Sequence, residues 1–220
     1  MSPVRKASNR GRNIIGYFPS IKMKRMINFE SLIERDLIYL LDYEQQVEQF
    51  WEQPLTIEYR KEGQKRKYTP DFHVLYAGRN VLLECKPWQL VDDADNQIKF
   101  AAARSWCWEQ GWSFGIMTDA MLTVNWRLEN VKLLTRFARY SIHSEIKGRV
   151  FAYLSTVTGA VRIADVMQAV NPEAPQNVLI PLLHMAFHHQ VCIPLNGAKI
   201  ATDSPIALRY TPSEKGILPL

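Results

Sequence analysis

Apolar positions recur at three- and four-residue spacing through Phe29, Leu32, Ile33, Leu37, Leu40 and Leu41, the period of a helix with one buried face. The spacing predicts a helix over 31–43, with Asn28 or Ser31 as its cap. From Val47 the period shortens to two. Segments 47–53 and 55–60, separated by Pro54, read as strands, as do 65–68, 71–76 and 81–86. Turn signals lie between them at Lys61-Glu62-Gly63-Gln64 and Ala77-Gly78-Arg79-Asn80. Asp92, Asp93 and Asp95 then open a helical segment that runs to Gln110, and acids in a first turn complement the helix dipole. A short apolar strand over 112–118 follows Gly111, and 125–141 returns to helical spacing. Helix, β-meander, helix, strand, helix predicts an α/β fold, a mixed sheet flanked by helices.

The last third has a different rhythm. Segments 143–156, 161–170 and 174–190 read as three helices, broken at Thr158-Gly159 and Asn171-Pro172. Segments 191–195 and 198–202 suit a hairpin around Asn196-Gly197, a strong type I′ signal. Three helices and a hairpin predict a small winged-helix-like α+β domain. The expected organisation is a basic N-terminal arm over 1–25, an α/β domain over 26–142 and the winged-helix-like domain over 143–220.

Composition narrows the class. The 220 residues are 47% apolar and 11% aromatic, enough for a packed core in one large or two small domains. No apolar run is long enough to cross a membrane, and no secretory leader follows the basic start. Cys85, Cys107 and Cys192 are odd in number and far apart, which argues against a disulfide framework and fits a reducing cytoplasm.

The net charge of +5 is unevenly spread. Arg5, Lys6, Arg10, Arg12, Lys22, Lys24 and Arg25 stand in the first 25 residues with no acid among them. Such an arm suits phosphate contact, and a solubilising tail is the alternative. Arg60, Lys61, Lys65, Arg66 and Lys67 flank an expected hairpin tip, where they either grip phosphates or form a solvated turn. The last 77 residues are near neutral, a poor balance for strong DNA binding. Protein docking is the better reading of that domain.

The candidate chemistry lies in Asp71, Glu84 and Lys86. Strand side chains alternate, so Glu84 and Lys86 share a face while Leu83 and Cys85 take the other. Asp71 begins the neighbouring strand, and hairpin pairing brings it towards them. Two carboxylates on adjacent strands make a hard-oxygen site for Mg²⁺. Such an ion neutralises charge at a scissile phosphate and activates water, which a nearby lysine can orient or deprotonate. Glu34, on the first helix, can present a further carboxylate. A plain salt bridge on a sheet surface is the competing reading of the isolated motif.

The ordered pieces are more specific. Ser31-Leu32-Ile33-Glu34, Glu52-Gln53-Pro54-Leu55, Tyr68-Thr69-Pro70-Asp71-Phe72, Glu84-Cys85-Lys86-Pro87 and Met117-Thr118-Asp119 occur in sequence. Together they resemble the TnsA family, the endonuclease subunits of TnsA/TnsB/TnsC transposons, within the PD-(D/E)xK nucleases of restriction-endonuclease-like fold. The resemblance spans 29–120. It implies a bacterial DNA endonuclease that cuts the 5′ strands at transposon ends. It implies Mg²⁺ as cofactor, one or two ions, with Mn²⁺ an alternative. It places Glu34, Asp71 and Lys86 on catalytic positions. Glu84 falls on a metal position where some members carry Gln, and the backbone carbonyl of Cys85 becomes a further ligand. It also implies double-stranded DNA, a TnsB-like transposase and a TnsC-like AAA+ ATPase as partners, the last through the C-terminal domain. Compact relatives can be CRISPR-associated, but no residue here speaks to that. The alternatives are a restriction or junction-resolving enzyme of the same fold, or a non-catalytic DNA-binding scaffold with a degenerate site.

Other features invite chemistry less. Trp106, Trp108 and Trp112 read as packing before a base-stacking platform. His184 and His188, with His189 and Cys192 close by, have a spacing that suits zinc. No acidic partner is near, so they read as packing histidines on a helix. Cys107 reads as a buried thiol.

Overall fold

The computed structural model describes residues 14–208. Their contacts divide them into two units, one ending at Leu122 and the other beginning at Thr123.

The first unit opens with a hairpin that spacing did not predict. Strand β1 (Gly16–Pro19) runs antiparallel to β2 (Met26–Phe29). Gly16 lets the two strands close over Phe29, because a Cβ there would meet the end of that ring and force it to shift. The buried Asp42 carboxylate accepts the backbone N–H groups of Ile21 and Lys22, each at 3.0 Å, and the Ser20 hydroxyl. The expected arm is therefore folded from Gly16 to Arg25, since a distant acid satisfies its loop. Arg5, Lys6, Arg10 and Arg12 lie outside the described residues.

Helix α1 (Leu32–Tyr43) is capped by Ser31, not Asn28, whose backbone is in β2. The Ser31 hydroxyl accepts the Glu34 N–H at 3.1 Å, and the Glu34 carboxylate reaches back to the Glu30 N–H at 2.8 Å. This is close to a capping box, and it holds Glu34 in place at the helix start. Leu37, Ile38, Leu40 and Leu41 form the buried face.

Six strands follow: β3 (Val47–Glu52), β4 (Ile57–Lys61), β5 (Gln64–Tyr68), β6 (Phe72–Tyr76), β7 (Arg79–Lys86) and, after a helix, β8 (Ser113–Thr118). The main sheet has the order β3-β6-β7-β8, with β7 and β8 parallel and the other pairs antiparallel. It is mixed, as expected, but β4 and β5 form a separate hairpin instead of continuing the meander. Their inward residues Ile57 and Tyr68 pack on Leu82, Ala103 and Cys107. Burial over the sheet face replaces edge pairing. Ala77 and Gly78 both take positive φ (46° and 74°), a two-residue turn that starts β7 at Arg79.

Helix α2 (Ala94–Gln110) is capped by Asp93, which accepts the Asn96 N–H at 3.0 Å, and ends at Gly111 with φ 67°. It crosses over from β7 to the parallel β8, and the four-residue helix α3 (Asp119–Leu122) closes the unit.

The second unit comprises α4 (Arg127–Phe137), α5 (Ser144–Thr156), β9 (Val161–Arg162), α6 (Ile163–Val170), α7 (Leu179–Phe187) and β10 (Pro205–Ile206). The boundary precedes the expected 142/143 division because α4 packs on α7. His184 Nδ1 bonds the Phe137 carbonyl at 3.1 Å, and His188 Nε2 bonds that of Ala138 at 2.8 Å. Both candidate zinc histidines are thus engaged with the backbone at the end of α4. The expected hairpin of 191–195 with 198–202 does not form. Buried Asn130 takes those backbone groups instead. Its amide donates to the carbonyls of Leu195 and Ala198, each at 2.8 Å, and accepts the Ile200 N–H at 2.9 Å. Pairing moves further along, with Cys192 bridging Ala207 and β10 pairing with β9.

Candidate active site

The register of β6 with β7 aligns His73 with Leu82 and Phe72 with Leu83. Asp71, directly before β6, therefore comes to the C-terminal end of β7. There the Cys85 N–H donates to Asp71 Oδ2 at 2.7 Å. Two residues apart on β7, Glu84 and Lys86 share one face, and Lys86 Nζ lies 2.7 Å from Glu84 Oε1. The other oxygen, Oε2, accepts the hydroxyl of Tyr68 at the end of β5 at 2.6 Å. Glu84 is only 3% exposed, so a buried carboxylate is fully partnered here. This is not the exposed sheet-surface ion pair that the isolated motif permits.

Electrostatics tie the group together. Burial pushes the Asp71 carboxyl well above its usual range, and the Glu84 and Glu34 carboxylates push it the same way. The Cys85 N–H and Lys86 offset only part of this. Glu34 is also raised, first by burial, then by Glu30 and Glu84. For Lys86, burial alone lowers the ammonium, but Glu84 and Asp71 outweigh it and hold it above its ordinary value. The structure thus sets Asp71, Glu84 and Lys86 beside one another, and Glu34 close enough to act on Asp71 and Glu84. Three carboxyl groups beside one ammonium repel one another when ionised, and a hard cation would relieve that repulsion. Among the described residues, no three carboxylate, imidazole or thiolate groups already close around a metal-sized point.

The expected DNA-binding residues divide. Lys65, Arg66 and Lys67 are exposed on β5. Lys24 is exposed too. Lys22 is not available: its ammonium donates to the carbonyls of Glu44 and of Val47, the latter at 2.6 Å. Burial lowers its pKa to about 8 despite Asp42 and Glu44. Arg25 forms a two-pronged pair with buried Glu52, at 2.8 and 2.6 Å. Both residues hold the β1–β2 hairpin to the body. Trp106 and Trp112 meet edge to face at 5.3 Å against the core, whereas Trp108 is 87% exposed.

Spacing gave no role to Tyr68, although it stands in the Tyr68-Thr69-Pro70-Asp71 run. Four exposed polar residues precede it, and only the packing of β5 shows that it turns inward.

A mixed sheet flanked by helices, with a carboxylate–lysine group at the end of two adjacent strands, defines a nuclease-like α/β protein. Residues 44–119 match the family model for the TnsA-like endonuclease N-terminal domain, and this part of the chain is a TnsA-like endonuclease domain. The matched segment contains Asp71, Glu84 and Lys86; Glu34 precedes it. No curated protein matches the chain. Among the described residues, no helix is long and apolar enough to cross a membrane, and the three cysteines are free thiols.

Proposed function

We propose that this chain is a divalent-metal-dependent DNA endonuclease that cuts the 5′ strands at transposon ends during cut-and-paste transposition. One observation carries the reading: Asp71, Glu84 and Lys86 converge inside a segment that matches the TnsA-like endonuclease domain, with Glu34 acting on the same charges. The donor set fits Mg²⁺, with Mn²⁺ as an alternative. Like-charged carboxylates that raise one another are relieved by a cation. A closed cage is not needed, because Mg²⁺ keeps several waters and takes only one or two carboxylates besides substrate phosphate. Asp71 and Glu84 would hold the ion, with Glu34 and the Cys85 carbonyl completing the set. Bound there, the metal supplies charge neutralisation at the phosphate and a water of lowered pKa. Lys86, kept in its ammonium form, orients the water and offsets charge on the phosphate.

The partners in this reading are double-stranded DNA at transposon ends, a TnsB-like transposase and a TnsC-like AAA+ ATPase docked on the second unit. The order α5, β9, α6, α7, Cys192 bridge, β10 supports a winged-helix-like form for that unit. The test uses the full chain with its partners and a transposon-end DNA. Asp71→Ala and Lys86→Ala should each lower 5′-strand nicking by about 10²-fold or more, in chains that stay folded at the assay temperature and still bind their partners. Nicking at the wild-type rate by both variants would overturn the site.

A further inference from the structure

We propose that Tyr68 is a positioning residue of this site, its phenol holding the Glu84 carboxylate in the orientation that receives the metal. The inference rests on the metal-nuclease reading above. A glutamate has three rotatable side-chain bonds, so a strand alone does not aim it. Its two oxygens are divided between two partners, Lys86 on Oε1 and Tyr68 on Oε2. These partners differ in rigidity. The Lys86 ammonium ends a flexible stem and is partly open to solvent. Tyr68 is buried, and its ring is gripped by Ile57, Leu82, Ala103 and Cys107. A fixed ring holds its phenol oxygen at one point, 2.6 Å from Glu84 Oε2. Between a phenol and a carboxylate the phenol O–H is the donor, and Glu84 Oε2 accepts it.

Tyr68 also belongs to a different element from the residues it serves. It closes β5, whereas Glu84 lies on β7 and Asp71 leads into β6. The β4–β5 hairpin pairs with neither of those strands, so this hydrogen bond links a separate piece of sheet to the site. Outer partners of metal ligands commonly matter 10- to 100-fold in affinity.

The experiment titrates Mn²⁺ into the metal-stripped full chain by calorimetry, for wild type, Tyr68→Phe and Asp71→Ala. Melting temperatures are recorded in chelator. Tyr68→Phe removes one oxygen and keeps the ring that fills the core. Its Mn²⁺ Kd should rise about 10- to 100-fold while the chain stays folded at the titration temperature. Asp71→Ala should abolish the titration. If Asp71→Ala binds as wild type does, or wild type does not bind, the metal-nuclease reading fails. If Asp71→Ala loses binding and Tyr68→Phe binds as tightly as wild type, the positioning role alone is overturned. Should Tyr68→Phe not stay folded at that temperature, all three titrations are run at a lower temperature where it does, with the same outcomes.

Discussion

At the scale of single residues, Asp71 shows how the site works against the fold. Its carboxyl is raised by burial and by Glu84 and Glu34, and one backbone N–H does not offset them. A group whose folded pKa exceeds its unfolded value near about 4 favours the fold most below that value. The advantage is lost as pH rises through the folded pKa, when charge must be carried beside like charge. Asp71→Asn should therefore melt close to wild type near pH 4 in chelator, and progressively higher than wild type as pH increases. Thermal unfolding at several pH values measures this. Saturating Mn²⁺ should close the gap, because the wild type then gains a ligand that the variant binds poorly. A flat difference across pH would show that Asp71 is not strained by its neighbours.

At the scale of elements, local chemistry was legible wherever it stayed local. The α1 helix was readable from its spacing and Ser31, and the β6–β7 hairpin from Ala77-Gly78. The β4–β5 hairpin was also readable as two strands, but not as detached from the main sheet. Its detachment leaves Lys65, Arg66 and Lys67 exposed on one ribbon whose far end is Tyr68. In the endonuclease reading this ribbon grips DNA backbone. Replacing the three by alanine should weaken transposon-end binding across sequences and lower the slope of log affinity against log salt by about 3. Binding measured by anisotropy at several salt concentrations tests it, and an unchanged slope assigns the ribbon to solvent. Asn196-Gly197 teaches the opposite lesson. Gly197 does take positive φ (89°), as its turn signal requires, yet no ladder forms beside it. Asn130, more than sixty residues away, binds the groups the ladder would use. A turn signal predicts a bend, not the pairing partner of the strand beyond it.

At the scale of the whole molecule, the division between units has a practical consequence. Helix α4 buries Leu128, Val131 and Leu134, and its Asn130 and Phe137, with Ala138 just after it, bond to later segments. A chain ending at Ile142 keeps α4 but loses α7, leaving that apolar face uncovered. A chain ending at Leu122 should therefore stay monomeric, whereas one ending at Ile142 should aggregate. Size-exclusion chromatography distinguishes them, and equal behaviour would mean that α4 does not depend on α7. In the transposase reading, removal of 123–220 should also cost binding to the TnsC-like ATPase. Retained binding would move that contact to the first unit.

The sequence by itself determined most element types, several turns, and the sharing of one face by Glu84 and Lys86, because those follow from periods of 3.6 and 2 and from residues a few positions apart. It also determined the resemblance to TnsA, since ordered motifs survive without coordinates. Only the tertiary structure decided that residues 16–25 fold back on Asp42, that Arg25 belongs to Glu52, that α4 belongs with α7, and that Tyr68 holds Glu84. Each of these joins groups 16 or more positions apart, and long-range pairing is settled by which buried polar group finds a partner. No local period contains that information.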